Sequence, residues 1–270
     1  MKAILFGVVQ GTTEWLPISS TGHMILLDGI LRLDASEAFL GFFLVAIQFG
    51  SILAVLVLFF GKLNPCRRGK TKEERRMAIG RLSLLLIACL PAALTGLFLD
   101  DWIEETCYNF PVIATTLIGY GILFILLERR RKNASFRITS VDSITARDAF
   151  FVGCFQVLAL IPGTSRSGAT IFGASLLGIG RTAAAEFSFF MAIPVMAGAS
   201  LLKGAKFALS GQGITPTETI GLTVGTATAF LVSLITIRFL IEFVRRRSFE
   251  VFGWYRVALG AAVLLFGGIL

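Results

Sequence analysis

Two polar stretches, QGTTEWLPISSTGH at 10–23 and PGTSRSG at 162–168, lie between short apolar runs and decide the fold. The flanking runs are too short to cross a hydrocarbon core, which takes about 20 apolar residues in a helix. Irregular backbone is tolerated at membrane depth only where it is buried in protein or lines a wet cavity. Each stretch therefore predicts a helix–loop–helix hairpin that enters the membrane and returns to the same side, one over 1–33 and one over 149–180.

The rest of the chain has the composition of a membrane protein, with 55% hydrophobic and only 16% charged residues and a mean hydropathy of +0.81. Its apolar runs predict six membrane spans. They cover 39–60, 82–99, 110–128, 183–204, 218–242 and 251–270. Arg256 lies near the start of the last span, where we expect it to snorkel to the interface. The predicted fold is an all-α polytopic membrane protein, with about six transmembrane helices plus two re-entrant hairpins in a single domain over 1–270.

The net charge of +8 is concentrated in short connections at 62–81, 129–147 and 245–250. This distribution is the positive-inside pattern of cytoplasmic loops next to anionic lipid, so it argues against a nucleic-acid partner. With these loops in the cytoplasm, the acidic connection at 100–105 falls outside. The first hairpin then enters the membrane from outside and the second from inside.

The two hairpins also share a weak internal repeat. Gly7 and Gln10 recur as Gly153 and Gln156, at an offset of 153 − 7 = 146 residues. The loop at 17–20 resembles the loop at 162–165, at an offset of 162 − 17 = 145. Together with the opposite entry of the hairpins, these matches predict an inverted-topology repeat with halves of roughly 1–128 and 147–270.

The first polar stretch carries the groups of an acid–base and nucleophilic site. Gln10 and Glu14 are four residues apart and share one helix face, and Pro17 then ends or kinks the helix. Ser20 and His23 are three residues apart, close enough to meet on one helical turn. The loop also offers Ser19 and Thr21, whose hydroxyls and neighbouring N–H groups suit an oxyanion. The alternative is that the serines after Pro17 are only N-caps.

The second stretch places Arg166 inside a re-entrant segment, which costs about 2.5–3.5 kcal/mol on insertion scales. This cost is more tolerable where the guanidinium lines a wet cavity and holds an anion, because its fork of donors matches phosphate oxygens. The loop residues predicted to complete the anion cradle are Gly163, Thr164, Ser165 and Ser167. The alternative is an interfacial arginine that balances a lipid phosphate.

Taken together, the two stretches supply a nucleophile, an acid or base, and positive charge for phosphoryl transfer. Glu14 and Gln10 also offer hard oxygens that suit Mg²⁺ or Ca²⁺. The four cysteines are scattered along the chain without metal-ligand spacing, which argues against a soft-metal site or a disulfide framework. They are Cys66, Cys89, Cys107 and Cys154.

At these residues the chain closely resembles the BacA-type undecaprenyl-diphosphatase family over nearly its full length. The matching motifs are Gln-x-x-x-Glu at 10–14, Pro-x-Ser-Ser-x-Gly-His at 17–23 and Pro-Gly-x-Ser-Arg-Ser-Gly at 162–168. The stretches at 47–55 and 185–189 resemble the family as well. The resemblance implies hydrolysis of undecaprenyl diphosphate to the monophosphate carrier of cell-wall synthesis, dependence on Mg²⁺ or Ca²⁺, and a link to bacitracin resistance. It also implies a bacterial inner-membrane protein whose active site opens to the periplasmic side, and it leaves a homodimer open.

The resemblance also assigns roles to single residues. Glu14 is expected to order metal or diphosphate, and Arg166 is expected to clamp phosphate. Ser20 is the expected nucleophile with His23 as its base and later acid, although a covalent role for His23 itself stays open. Gln10 stands where many relatives carry glutamate, so a second metal-binding carboxylate is not expected here.

Two other functions compete with this interpretation. The type-2 lipid phosphatases use similar serine and arginine motifs, but their mechanism needs two histidines and this chain has only His23. A polyprenyl-phosphate carrier or flippase, or an ion-coupled transporter without hydrolysis, would also suit inverted hairpins. The concentration of Ser20, His23 and Arg166 favours catalysis over transport.

Overall fold

The computed structural model describes residues 1–31, 36–131, 135–211 and 213–266, and these ranges fold into α-helices with short connections. The described helices are, in chain order, α1 Lys2–Thr13, α2 Ser20–Leu31, α3 Glu37–Leu58, α4 Phe60–Leu63, α5 Lys72–Cys107, α6 Phe110–Arg130, α7 Ala146–Val157, α8 Arg166–Leu176, α9 Arg181–Leu209, α10 Pro216–Arg246 and α11 Glu250–Phe266. Two 3₁₀ turns, Val141–Ser143 and Leu158–Leu160, precede and follow α7. The predicted all-α fold is confirmed.

Five of these helices, α3, α5, α6, α9 and α10, are long and apolar enough to cross a membrane. They correspond to the first five predicted spans. The sixth predicted span, 251–270, corresponds to α11, which has 17 residues, and residues 267–270 lie outside the described part of the chain. The second predicted span, 82–99, lies inside a longer helix, because α5 begins at Lys72 and runs to Cys107. A capping box between Thr71 and Glu74 starts this helix inside the predicted basic loop.

The basic connections gather at one end of the bundle. Arg81 donates to Asp142 at 2.5 Å and to the carbonyl of Lys62 at 2.6 Å, which ties α5 to both neighbouring loops. The hydrogen bond from Arg81 holds the pKa of Asp142 below its ordinary value. Arg129 pairs with Glu250 at 2.8 Å between the end of α6 and the start of α11. The loops that the charge pattern assigns to one side of the membrane therefore lie together.

Each hairpin is a helix broken by a loop and restarted by a serine. Ser19 and Ser165 both have positive φ, 72° and 70°, and each hydroxyl accepts a hydrogen bond from the N–H three residues later. This shared geometry sets the loop offset at 165 − 19 = 146, so the predicted offset of 145 is wrong by one residue. Ser20 and Arg166 then occupy equivalent positions, each as the first residue of its helix. The match supports the internal repeat, whose halves at 1–128 and 147–270 stay a prediction.

The first helix of each hairpin packs on a long helix from the other half of the chain. A Cβ at Gly7 would lie 2.6 Å from the carbonyl oxygen of Gly225 on α10. A Cβ at Gly153 would collide with the carbonyl of Ala88 on α5. Because small residues let helix backbones approach closely where no water drives association, these contacts fix α1 on α10 and α7 on α5.

Arg256 does not snorkel, and the prediction that it reaches the interface is wrong. Its side chain is fully buried, at 0% exposure. The guanidinium donates to the carbonyl of Pro17 at 3.2 Å and to the carbonyl of Gly163 at 2.9 Å. It reaches inward because both broken helices leave loop carbonyls that need donors inside the protein.

The contact between α6 and α11 yields a stability test. A Cβ at Gly121 would lie 2.8 Å from the carbonyl oxygen of Gly253, whereas a Cβ at Gly119 on the same helix meets open space. We expect Gly121→Ala to lower the free energy of unfolding by about 1–3 kcal/mol, because the helices must move apart. Gly119→Ala is the matched control and should leave it unchanged or raise it. Thermal unfolding in detergent measures both, and equal midpoints would contradict close packing at Gly121.

Candidate active site

The two hairpins meet in an ion pair. Arg166, at the start of α8, donates through Nη2 to Oε1 of Glu14 at 2.9 Å. Both side chains are largely buried, with 12% and 7% exposure. Ser167 joins the same loops by donating to the carbonyl oxygens of Glu14 and Leu16, at 3.1 and 3.2 Å. The predicted groups of the two hairpins therefore lie in one site.

The second carboxylate oxygen of Glu14 organises the rest of the first hairpin. Its Oε2 accepts from the Ser20 hydroxyl at 2.9 Å and from Nε2 of Gln10 at 3.0 Å. Gln10 and Glu14 share a helix face as predicted, because the α1 geometry continues through Glu14, whose φ and ψ are −64° and −40°. The hydroxyl predicted to be the nucleophile is thus bonded directly to a buried carboxylate.

Arg166 is held from several sides but keeps one donor unused. Its Nη1 donates to the Ser188 carbonyl at 2.7 Å, and the guanidinium lies over the Trp15 ring at 5.7 Å. Its Nε is buried and has no hydrogen-bond partner within the part of the chain that the structure describes. The same is true of the Thr164 hydroxyl two residues earlier. Buried donors of this kind are groups that a bound oxyanion would satisfy.

His23 points towards α11. Its Nδ1 donates to the Ser19 carbonyl at 2.7 Å, so the neutral ring presents Nε2 as an acceptor for the Tyr255 hydroxyl at 2.6 Å. The two rings also stack, with centroids 5.6 Å apart. These bonds tie His23 to Tyr255 and Ser20 to Glu14. The bonds of His23 run to Ser19 and Tyr255 rather than to Ser20, so its role as the base for Ser20 stays a prediction.

The ion pair faces a polar cavity of about 200 Å³ between the hairpins. The predicted site residues that line it are Glu14, Ser20, Thr21, Gly163, Ser165 and Arg166. The starts of α2 and α8 both open into it, and free N–H groups with a positive helix dipole favour an anion there. Ser165 also caps α8. The predicted residues that do not line the cavity support the loops: Ser19 caps α2, Ser167 donates to the first loop, and Thr164 is buried.

Sequence reasoning missed polar residues at the site, including four that lie on helices. Gln48 and Gln156 line the cavity, Tyr255 holds His23, and Thr116 donates to the Pro162 carbonyl at 2.8 Å. Gln156 could have been found, because it is the repeat equivalent of Gln10. The other three lie on distant helices in apolar runs and carry no local signal.

The donor set limits which metal the site fits. Glu14 is one carboxylate, and a cluster of three or more acidic, histidine or cysteine side chains does not occur within the described ranges. Mg²⁺ is commonly held by one or two carboxylates together with substrate phosphates, whereas Ca²⁺ needs six to eight oxygen ligands. The Glu14 carboxylate therefore fits Mg²⁺ that shares its shell with a phosphorylated ligand. Gln10 is buried behind it and does not line the cavity, so its role as a metal ligand stays a prediction.

Comparison with known proteins identifies the family of the chain. The family model for bacitracin resistance protein BacA matches residues 3–262. An undecaprenyl-diphosphatase of Enterococcus faecalis is 51% identical over 97% of this chain and 95% of its own length. Undecaprenyl-diphosphatase 1 of Clostridium acetobutylicum is 48% identical over 98% of this chain and 96% of its own. One from Streptococcus thermophilus is 46% identical over 100% and 93%. The chain belongs to the BacA family.

Proposed function

We propose that this protein hydrolyses undecaprenyl diphosphate to undecaprenyl phosphate and inorganic phosphate. The observation that carries the proposal is the Ser20 hydroxyl, bonded to a carboxylate that Arg166 holds in place at the mouths of two helix N-termini. Catalysis of phosphoryl transfer consists mostly of positioning and of stabilising charge, and this arrangement supplies both. The names of the relatives point to the same reaction.

The first step forms a bond between Ser20 Oγ and the terminal phosphorus. The bond from that phosphorus to the bridging oxygen breaks, its electron pair stays on the oxygen, and undecaprenyl phosphate leaves. Glu14 receives the Ser20 proton, because its Oε2 already accepts that hydrogen bond at 2.9 Å. Water then attacks the phosphorus of the phosphoserine, and the bond from phosphorus to Ser20 Oγ breaks. The proton on Glu14 returns to Oγ and restores the hydroxyl, while the attacking water loses a proton to solvent and inorganic phosphate leaves.

Arg166 and the two helix starts act on the charge of the transferring group. The unused Nε of Arg166 and the N–H groups at the starts of α2 and α8 are donors for the phosphoryl oxygens. Mg²⁺ is the proposed metal, with Glu14 and Gln10 holding it, and it would neutralise negative charge on the diphosphate when bound. The positioning of Ser20 comes from the protein alone.

A carrier or transporter without hydrolysis has no support among the relatives, whose names describe a phosphatase. The contact between Ser20 and Glu14 also favours catalysis, because binding a phosphate needs donors rather than a hydroxyl aimed at a carboxylate. Transport therefore explains less of the site.

We place the protein in the bacterial plasma membrane, with the cavity opening to the outer side. The clustered basic loops support a cytoplasmic end through the positive-inside rule. Tyr108 lines the cavity and directly follows the acidic end of α5. This end of the helix is opposite to the end that begins in the basic loops. Association into a homodimer stays a prediction.

Phosphate release from undecaprenyl diphosphate, measured with the purified protein and Mg²⁺, tests the proposal. We expect Ser20→Ala and Arg166→Ala to lower kcat by at least about 10²-fold, the scale of losing a nucleophile or an oxyanion donor. Matched controls are Ser83→Ala and Arg245→Ala, which change the same residue types at exposed positions away from the cavity. Absence of turnover in the parent protein, with substrate still bound, would refute hydrolysis.

A second comparison decides which group takes the Ser20 proton. Glu14→Gln keeps the size of the side chain but removes its charge and one of its two acceptor oxygens, so the side chain can no longer take up the Ser20 proton. We expect kcat to fall by roughly 10²–10⁴-fold. His23→Gln should cost far less, because His23 bonds to Ser19 and Tyr255. The pH dependence of kcat/KM for both variants is the measurement. If kcat falls more in His23→Gln than in Glu14→Gln, and the fall of kcat/KM at low pH disappears in His23→Gln, the base is His23 instead.

A further inference from the structure

An apolar groove opens beside the polar cavity, between α5 and α9, and encloses about 570 Å³. We call it the α5–α9 groove. Its walls come from α5 between Cys89 and Asp101, from α9 between Pro194 and Lys206, and from Leu160 in the turn after α7. Apart from Asp101 and Lys206, these residues present carbon or a thiol. The ligand that such a wall suits is a hydrocarbon.

The groove adjoins the polar cavity. Four residues, Ala92, Leu160, Val195 and Ala199, line both spaces. Three of them are small or β-branched, so little side-chain bulk separates the two spaces. A molecule with a charged head in the cavity can therefore extend an apolar tail into the groove.

The dimensions of the groove suit an extended chain. It follows α5 from Cys89 to Asp101 and α9 from Pro194 to Lys206, which is roughly 18 Å of each helix at 1.5 Å per residue. Pro91 and Pro194 interrupt the hydrogen bonding of the two helices near its inner end, where prolines kink helices. Leu97 and Phe98 are 78% and 82% exposed, so this side of the groove faces the surface that lipid covers.

A second apolar cavity of similar size, about 610 Å³, is the natural rival. It lies between α3, α9 and α10, with walls that include Ala46, Phe49, Ala227 and Phe230. None of the residues that line it lines the polar cavity. A tail in this rival cavity would have no path to the Glu14–Arg166 pair.

We propose that the polyprenyl tail of the substrate leaves the polar cavity between Ala92 and Val195 and lies in the α5–α9 groove, through which it enters and leaves sideways. This inference rests on the proposed function, because it assigns the tail of the same substrate. It makes the groove a determinant of chain-length preference. Ala93 has only a methyl group and Gly198 has no side chain, so both positions leave room for the tail in the groove.

The test fills one groove at a time with the same substitution. Ala93→Phe narrows the α5–α9 groove and Ala227→Phe narrows the rival cavity; both positions are exposed and lie outside the polar cavity. Gly198→Phe is a second blocking variant, because a Cβ there meets open space and needs no repacking. Each is assayed on undecaprenyl diphosphate and on farnesyl diphosphate, whose tail is much shorter, and unfolding midpoints check that each variant is folded.

We expect Ala93→Phe and Gly198→Phe to lower kcat/KM for undecaprenyl diphosphate by about tenfold, the loss of roughly two buried methylene contacts. The loss should appear mainly in KM, and it should be much smaller for farnesyl diphosphate. Ala227→Phe should match the parent on both. Equal losses on the two substrates, or a loss confined to Ala227→Phe, would overturn the groove assignment while leaving hydrolysis intact.

Photolabelling tests the same assignment without turnover. An undecaprenyl diphosphate analogue with a diazirine on its tail is irradiated with the parent protein, and the labelled peptides are identified by mass spectrometry. Labels on α5 and α9 near Phe98 and Leu202 support the proposal. Labels on α3 and α10 near Phe49 and Phe230 refute it. Because labelling needs only binding, it separates a failure of the groove from a failure of the proposed hydrolysis.

Discussion

The broken helices of the two hairpins leave backbone carbonyls inside the protein, and each of these needs a donor. Arg256 serves Pro17 in one loop and Gly163 in the other, and Thr116 serves Pro162. Ser167 serves the carbonyls of Glu14 and Leu16 across the interface. Every one of these donors comes from a different segment of the chain. The loops can therefore keep their shape only when the whole bundle is assembled around them.

The same requirement places the catalytic groups. Because the two loops are pinned to each other, Arg166 meets Glu14 without help from a ligand, and Glu14 holds Ser20. Removing one partner of a buried ion pair costs about 3–5 kcal/mol, since the other charge is left uncompensated. A diphosphate that enters the cavity meets positive groups that are already oriented, so the protein has little reorganisation to undergo when it binds. Preorganised sites stabilise charge in this way.

Sequence reasoning reached the class of fold, the helix–loop–helix form of both hairpins and the meeting of Glu14, Ser20 and Arg166, because polar residues between short apolar runs must be buried in protein in a bilayer. Re-entry of the hairpins from opposite sides of the membrane stays a prediction. It misjudged Arg256, since a charge near a span end usually reaches the interface and only the loop carbonyls explain why it turns inward. It placed His23 with Ser20 from their spacing, but Tyr255 is 232 residues away and gives no local signal. The one-residue error in the repeat offset arose because the prolines of the two loops were aligned. The geometry that the loops share belongs to the serine caps Ser19 and Ser165.

The distance in sequence between the paired groups has a consequence for how the chain is made. Arg166 lies 152 residues after Glu14, and Arg256 lies 239 residues after Pro17. At roughly 5–20 residues per second, the ribosome adds Arg166 about 8–30 s after Glu14. Through that interval Glu14 has Gln10 and Ser20 beside it but neither Arg166 nor Ser167. The first hairpin can therefore complete its contacts only after most of the chain has been made.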